Sequence, residues 1–178
     1  MDESRLTADP LRNIRSYNDE MTISQVIRYF ERQGIFFTKP MIQGYVRAGV
    51  IPQPKDKRYY TRPHMVLLAL AENLKRGFSA EEIKRLFETL EAYPGALDGA
   101  SDEALAIYGE YAARTRDIFA ALNELSEEIA AGAGEYGEFL TPAALMTGSV
   151  ILREAAEKML ERRRDTNTGS WIKDEPGN

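Results

Sequence analysis

Apolar residues recur every three or four positions along most of the chain, a spacing that predicts helices almost throughout. Ile23, Val26, Ile27 and Phe30 form one face of a helix that Thr22 caps. Gln25 completes a capping box with Thr22, and Gly34 is placed to end the helix. Phe36 and Phe37 follow in the connector, where both are expected to plug the core. Thr38 starts the next helix with Pro40 in its first turn. Met41, Ile42, Tyr45 and Val46 give that helix a buried face, and Gly49 gives it a stop. Thr61 caps a third helix with Pro63 in its first turn. Its run of Met65, Val66, Leu67, Leu68 and Leu70 is apolar nearly all round, hence buried, and Gly77 ends it. Ser79 and Glu82 make a second capping box, opening a short helix with Ile83, Leu86, Phe87 and Leu90 inward.

One segment breaks the helical period. In Val50–Arg62 (VIPQPKDKRYYTR), Pro52 and Pro54 exclude a helix interior, and the turn Lys55-Asp56-Lys57 leads into Arg58-Tyr59-Tyr60-Thr61. This pattern predicts a short two-stranded hairpin with a charged tip. On a strand one of the two tyrosines must face inward, and Tyr60 is the expected one.

The flanks are simpler. Residues 1–20 form a polar arm with a short helix expected after Pro10, on which Leu11, Ile14 and Tyr17 share a face. A Pro/Gly-rich break at 93–101 precedes a long helix, 102 to about 131. There Ala104, Tyr108, Tyr111, Thr115, Ile118, Leu122, Leu125 and Ile129 alternate four and three apart, a heptad-like seam that Leu105, Ala112 and Phe119 widen. A coiled coil and a helical-bundle core both explain it. Gly132, Gly134 and Gly137 make a turn, and Thr141-Pro142 opens a last helix to about Arg164. The tail after it is expected to be disordered apart from Trp171.

The order helix, tight turn, helix, hairpin, two more helices is that of a winged helix-turn-helix. The expected fold is therefore mainly all-α: an arm (1–20), a winged helix-turn-helix domain with a short β-hairpin wing (21–92), a helical C-terminal region (102–164) and a tail (165–178).

Composition narrows the class. Of 178 residues 43% are hydrophobic and 29% charged, as in soluble globular proteins. No apolar run approaches the roughly 20 residues that span a bilayer, so no membrane association is expected. The start MDESRLTADP is too acidic and polar for a signal peptide, and the cytoplasm is the expected compartment. Without cysteine there is neither a disulfide framework nor a thiolate metal site. The net charge of −5 is unevenly spread: residues 21–90 carry 12 Lys/Arg against 6 Asp/Glu (+6), residues 91–178 carry 8 against 17 (−9), and residues 1–20 carry 3 against 5 (−2). A basic segment beside an acidic one is expected when only one part touches a polyanion, although the acidic half also serves solubility.

Three blocks sharpen this: Gly49-Val-Ile-Pro52, Arg58-Tyr-Tyr-Thr61 and the string LKRGFSAEEIKRL from Leu74 to Leu86. Together and in register, over about 70 residues, they resemble the MerR family of transcriptional regulators. The strings YVRAG, PQP and KDKRYY also resemble a less-studied branch of MerR-like domains. The resemblance implies that the second helix enters the major groove, the wing lies along the phosphate backbone, and Tyr60 is a core residue. It also implies a homodimer, with the long helix pairing antiparallel with its twin, and a C-terminal region that in this family binds an effector. An intramolecular helical hairpin without a dimer is the alternative for 102–164.

Residue chemistry agrees with DNA as the partner. Lys39, Gln43 and Arg47 lie four apart, on one helix face. The two cations suit phosphates, and Gln43 can pair in a bidentate way with adenine. Lys55, Lys57, Arg58 and Arg62 cluster on the wing, and Tyr59 is placed to stack against the DNA backbone. One departure from the family stands out. Where MerR regulators carry an Arg and two aromatics before the helix-ending glycine, this chain has Gln43, Gly44 and Tyr45, so the phosphate-clamping arginine is absent there and Arg47 lies one turn later.

Other classes find less support. His64 is the only histidine, no Gly-rich phosphate loop or nucleophile elbow is present, and pairs such as Glu127-Glu128 read as a solvated helix face. No catalytic residue, cofactor or metal is expected. Tyr108, Tyr111, Phe119, Tyr136 and Phe139 are either plain core or the lining of an apolar effector pocket. The rival to a regulator is a protein-interaction module with a MerR-like fold that does not bind DNA.

Overall fold

The computed structural model describes residues 9–93, 95–98 and 102–168. The expected disordered tail with Trp171 lies outside the described residues, except for the end of the last helix. The elements in chain order are β1 (Met21–Thr22), α1 (Ile23–Arg32), α2 (Lys39–Arg47), β2 (Tyr59–Tyr60), α3 (Arg62–Leu74), α4 (Ala80–Glu88), α5 (Glu103–Gly132) and α6 (Gly137–Thr168), with single 3₁₀ turns at Ile14–Ser16, Thr89–Ala92 and Gly134–Tyr136. The protein is mainly helical, with one short antiparallel sheet and two long C-terminal helices. Two compact units divide the chain, Met1–Asp117 and Ile118–Asn178.

In the first unit α3 is the pillar: every residue from Pro63 to Ala71 is buried, as its all-round apolar sequence requires. Around it lie Val26, Tyr29 and Phe30 of α1, Ile42 of α2, Val50 and Ile51, Tyr60, Ile83 and Phe87 of α4, and Ala104 and Tyr108 of α5. A chain of edge-on aromatic contacts runs Tyr17–Tyr29–Phe30–Phe37, with centroids 4.9, 5.4 and 5.0 Å apart. Such edge-to-face pairs are favourable beyond the area they bury. The Tyr29 hydroxyl donates to the Pro10 carbonyl at 2.7 Å in the interior, and burial pushes its ionisation well above the ordinary tyrosine range. The described part of the arm, residues 9–20, thus joins the core: Leu11 and Ile14 are buried and Tyr17 packs against the cluster, with a 3₁₀ turn at Ile14–Ser16 rather than an α-helix.

The helix ends follow the sequence signals. The Thr22 N–H donates to Gln25 Oε1 at 2.8 Å, and the Ser79 N–H donates to a Glu82 carboxylate oxygen at 2.7 Å. Gly34 and Gly49 adopt φ of 75° and 69° past the ends of α1 and α2, a conformation glycine takes at little cost. Helix α3 stops at Leu74, three residues before Gly77. Its N-terminus carries a further capping box, in which the Thr61 N–H donates to His64 Nδ1 at 3.1 Å.

Several expectations are corrected. The hairpin over Val50–Arg62 is reduced to a tight turn closed by a single bridge, Lys55↔Tyr59. The sheet instead pairs β2 with the distant β1, Met21 opposite Tyr60 and Thr22 opposite Tyr59. Phe37 plugs the core, but Phe36 is 69% exposed, because adjacent residues of an extended connector point opposite ways. Leu86 also lies on the exposed side of α4, leaving Ile83 and Phe87 as its buried pair. Tyr60 is buried as expected.

The second unit holds the end of α5 and all of α6. Gly134, at φ 57°, redirects the chain between them. Helix α6 begins at Gly137, four residues before the expected start, and runs through Pro142. The Pro142 ring forgoes one helical bond and crowds the carbonyl of Glu138, at a cost of about 3 kcal/mol in a helix interior. The α5 seam divides: Ala104 and Tyr108 are buried in the first unit, whereas Ile118, Leu122 and Leu125 of the second are exposed. Of the aromatic set expected as core or pocket lining, Tyr108 is buried in the first unit, whereas Tyr136 and Phe139 of the second are 65% and 73% exposed.

Two predictions follow from these contacts. Tyr29→Phe removes only the bond to Pro10 and should cost about 1 kcal/mol, whereas Phe30→Ala should cost about 3–5 kcal/mol, both measured by urea unfolding. Burial lowers the His64 pKa from its ordinary 6.5, so the native state binds a proton less readily than the unfolded chain. Stability should therefore be level above pH 6.5 and fall as pH drops below it. His64→Gln keeps an acceptor for Thr61 and should flatten the dependence in melts between pH 7 and about 5.

Candidate nucleic-acid interface

Helix α2 buries Ile42 and half-buries Met41, Tyr45 and Val46, so its period leaves Lys39, Gln43 and Arg47 exposed together on the other side. The Thr38 hydroxyl accepts from the Met41 N–H at 3.3 Å and fixes the start of the helix. Gly44 lies within an unbroken helix with nothing within 4 Å of where its Cβ would stand. Packing within the chain therefore does not require glycine there.

The turn between Pro54 and Tyr59 is tightly closed. Asp56 and Lys57 take φ of 52° and 57°, and the Tyr59 N–H donates to the Lys55 carbonyl at 2.8 Å while the Lys55 N–H donates to the Tyr59 carbonyl at 2.9 Å. Pro54 is buried and anchors the base, and Lys55, Lys57 and Arg58 point into solvent. The Arg58 guanidinium lies over the half-buried Tyr59 ring, 5.3 Å from its centroid. This cation–π contact holds the arginine at the surface of the turn.

The expected wing cations fall into two electrostatic groups. Arg62, whose side chain is only 19% exposed, is ion-paired with Asp19 and Asp102, and Arg15 joins Asp102 at 3.4 Å. Arg62 thereby ties the arm to the start of α5. Lys55 is paired with Glu20, and that hydrogen bond raises its pKa. Lys39, Arg47, Lys57 and Arg58, by contrast, have no carboxylate partner among the described residues.

A second cationic feature lies outside the expected site. Arg28 and Arg32, one turn apart on α1, line a cleft of about 270 Å³ with Ser16, Tyr17, Asn18, Met21, Gln25 and Tyr29, and Arg32 donates to the Tyr17 hydroxyl at 3.1 Å. Their spacing of four, opposite the apolar stripe of α1, was a usable signal. On the acidic side, Asp19, Glu20, Pro52, Gln53, Lys55, Thr61, His64, Leu97 and Asp98 line a cavity of about 530 Å³. His64 faces it as a capping group, its Nδ1 engaged by Thr61 and its Nε2 3.4 Å from the Gln53 carbonyl oxygen. No group of three or more His, Cys, Asp or Glu among the described residues could hold a metal ion. No helix among them is long and apolar enough to cross a membrane.

The first unit is thus a helical module with a two-strand sheet, whose helix α2 and following turn present exposed cations with no carboxylate partner among the described residues. Residues 14–108 match the family described as Domain of unknown function (DUF1836), and the chain belongs to that family. The match runs from one buried core residue, Ile14, to another, Tyr108. No curated protein and no solved structure matches the chain.

The division of the cations is measurable. Arg62→Ala should destabilise the fold by about 1 kcal/mol through loss of the ties to Asp19 and Asp102, whereas Lys57→Ala and Arg58→Ala should stay within about 0.5 kcal/mol of the parent in chemical unfolding.

Proposed function

We propose that this chain is a sequence-specific, DNA-binding transcriptional regulator with a MerR-like winged helix-turn-helix over residues 21–92. In this reading α2 enters the major groove, Gln43 reads a base edge, and Lys39 and Arg47 grip the flanking phosphates. The turn Lys55–Tyr59 is the wing, with Lys57 and Arg58 on the backbone and Tyr59 supporting Arg58. The observation that carries the reading is the exposure of Lys39, Arg47, Lys57 and Arg58 with no carboxylate partner among the described residues, in a chain whose net charge is −5. Exposed on one face of α2 and on the turn after it, these four can replace the counterions of a polyanion.

The reading assigns unequal roles to the remaining residues. Lys55 exchanges Glu20 for a phosphate on binding, and Arg62 holds the frame rather than the DNA. The open surface at Gly44 lets the helix backbone approach the groove without a side chain between. Two copies would address two half-sites of an operator. The protein acts in the cytoplasm, without catalysis or a cofactor. A protein-interaction module on the same fold is the second reading, favoured by the exposed apolar surface of α6.

Fluorescence anisotropy against duplexes from the protein's own promoter region, at two salt concentrations, tests the reading. Affinity should fall steeply with salt, and Lys57→Ala or Arg58→Ala should weaken binding several-fold and reduce the salt slope by about one each. Gln43→Ala should cost about 1–3 kcal/mol on the preferred duplex and little on others. Absence of binding at low salt by a folded protein would refute it.

A further inference from the structure

The cleft of about 270 Å³ between the arm and α1 is lined by hydrogen-bond donors and by no carboxylate among the described residues. Arg28 and Arg32 stand one helical turn apart on its α1 side. Like charges at that spacing repel one another and weaken the helix slightly. The carboxylates nearest the cleft in the chain are engaged elsewhere, Asp19 with Arg62 and Glu20 with Lys55. Glu31, between the two arginines in the sequence, does not line the cleft. The neutral groups also present donors. The Gln25 side-chain oxygen is taken by the capping box, accepting from the Thr22 N–H at 2.8 Å and from the Thr22 hydroxyl at 2.9 Å. That leaves the Gln25 amide N–H groups for the cleft. The Tyr17 hydroxyl accepts from Arg32 at 3.1 Å and keeps its own proton to donate. Tyr17 is braced edge-on against the buried Tyr29, whose hydroxyl is anchored on the Pro10 carbonyl. Arg32 is thus held in place before any ligand arrives, so less rotamer freedom is lost on binding.

Charge and shape select the ligand. Two guanidinium groups with neutral donors beside them fit one group that carries two negative charges and several acceptor oxygens. A phosphate monoester has a charge of about −1.5 to −2 at neutral pH and three strong acceptor oxygens, and arginine forks meet such oxygens in pairs. A carboxylate or a backbone phosphodiester brings one charge only. The volume lies just below the range of roughly 300–1,000 Å³ usual for ligand sites, so the ligand is small. It still exceeds a bare phosphate, and Met21 and Tyr29 give the cleft an apolar floor for an attached organic group. A recess takes a terminal phosphate more readily than one flanked on both sides by sugar.

We propose that this cleft binds a small phosphate monoester, with Arg28 and Arg32 on the phosphate and Gln25 and Tyr17 donating beside them. Tyr17 belongs to the arm and the other three to α1, so the ligand ties the two together and stabilises the fold by mass action. The DNA reading is not needed for this, and the experiment contains no DNA, so either can fail without the other. Phenyl phosphate is the probe, titrated into the full chain while amide chemical shifts are followed. Saturable changes should appear at residues 16–18 and 25–32, and the melting temperature should rise with the probe. Arg28 is exposed and makes no hydrogen bond or ion pair among the described residues. Arg28→Gln should therefore leave the melting temperature of the free protein unchanged while weakening the probe about tenfold. Tyr17→Phe, which keeps the ring, should weaken it a few-fold. Dimethyl phosphate, a diester of one charge, and succinate, a dicarboxylate, should each bind about tenfold more weakly than the probe. Dimethyl phosphate binding as tightly as the monoester would assign the cleft to backbone phosphates and overturn the proposal. Succinate binding as tightly would overturn it too, as would shifts that do not saturate or binding that Arg28→Gln leaves unchanged.

Discussion

Helix α3 has no solvent face over Pro63–Ala71, and the rest of the first unit follows from that constraint. A helix that is apolar all round has to be covered all round, and one neighbour cannot do it. The arm, α1, α2, the segment Val50–Ile51, β2, α4 and the first turns of α5 each contribute a buried residue to the same core. This explains why residues as far apart as Leu11 and Tyr108 belong to one cluster, and why Arg62, at the start of α3, is where the arm and α5 are tied together by charge.

Much of this was legible in the sequence wherever the signal is local. The Thr22–Gln25 and Ser79–Glu82 boxes, the stops at Gly34 and Gly49 and the buried run of α3 are each written within a few residues, and each stands where it was expected. The misses are non-local. A strand of two residues carries no periodicity, so nothing near Met21–Thr22 announced a partner at Tyr59–Tyr60. Phe36 and Phe37 are equally apolar, and only the direction of the connector decides which is buried. Thr141-Pro142 carries a helix-start signal because proline is favoured in a first turn, yet α6 begins at Gly137, four residues before Thr141.

The site was legible as residue types and less so as electrostatics. Sequence spacing alone put Lys39, Gln43 and Arg47 on one face, and all three are exposed on α2. It could not distinguish Arg62 and Lys55, which have acidic partners 40 and 35 residues away in Asp102 and Glu20, from Lys57 and Arg58, which have none among the described residues. That distinction separates framework cations from those free to meet a polyanion. Arg28 and Arg32 belong to no recognisable block and are marked only by their spacing of four on the polar face of α1.

The central claim is that α2 and the turn after it form the surface that meets DNA. Amide chemical shifts of the full chain, followed while a short duplex is added at low salt, test it most directly. The account predicts changes concentrated in Lys39–Arg47 and Lys55–Tyr59 that vanish as salt is raised. No change in these segments, or changes confined to α5 and α6 beyond residue 118, would contradict it.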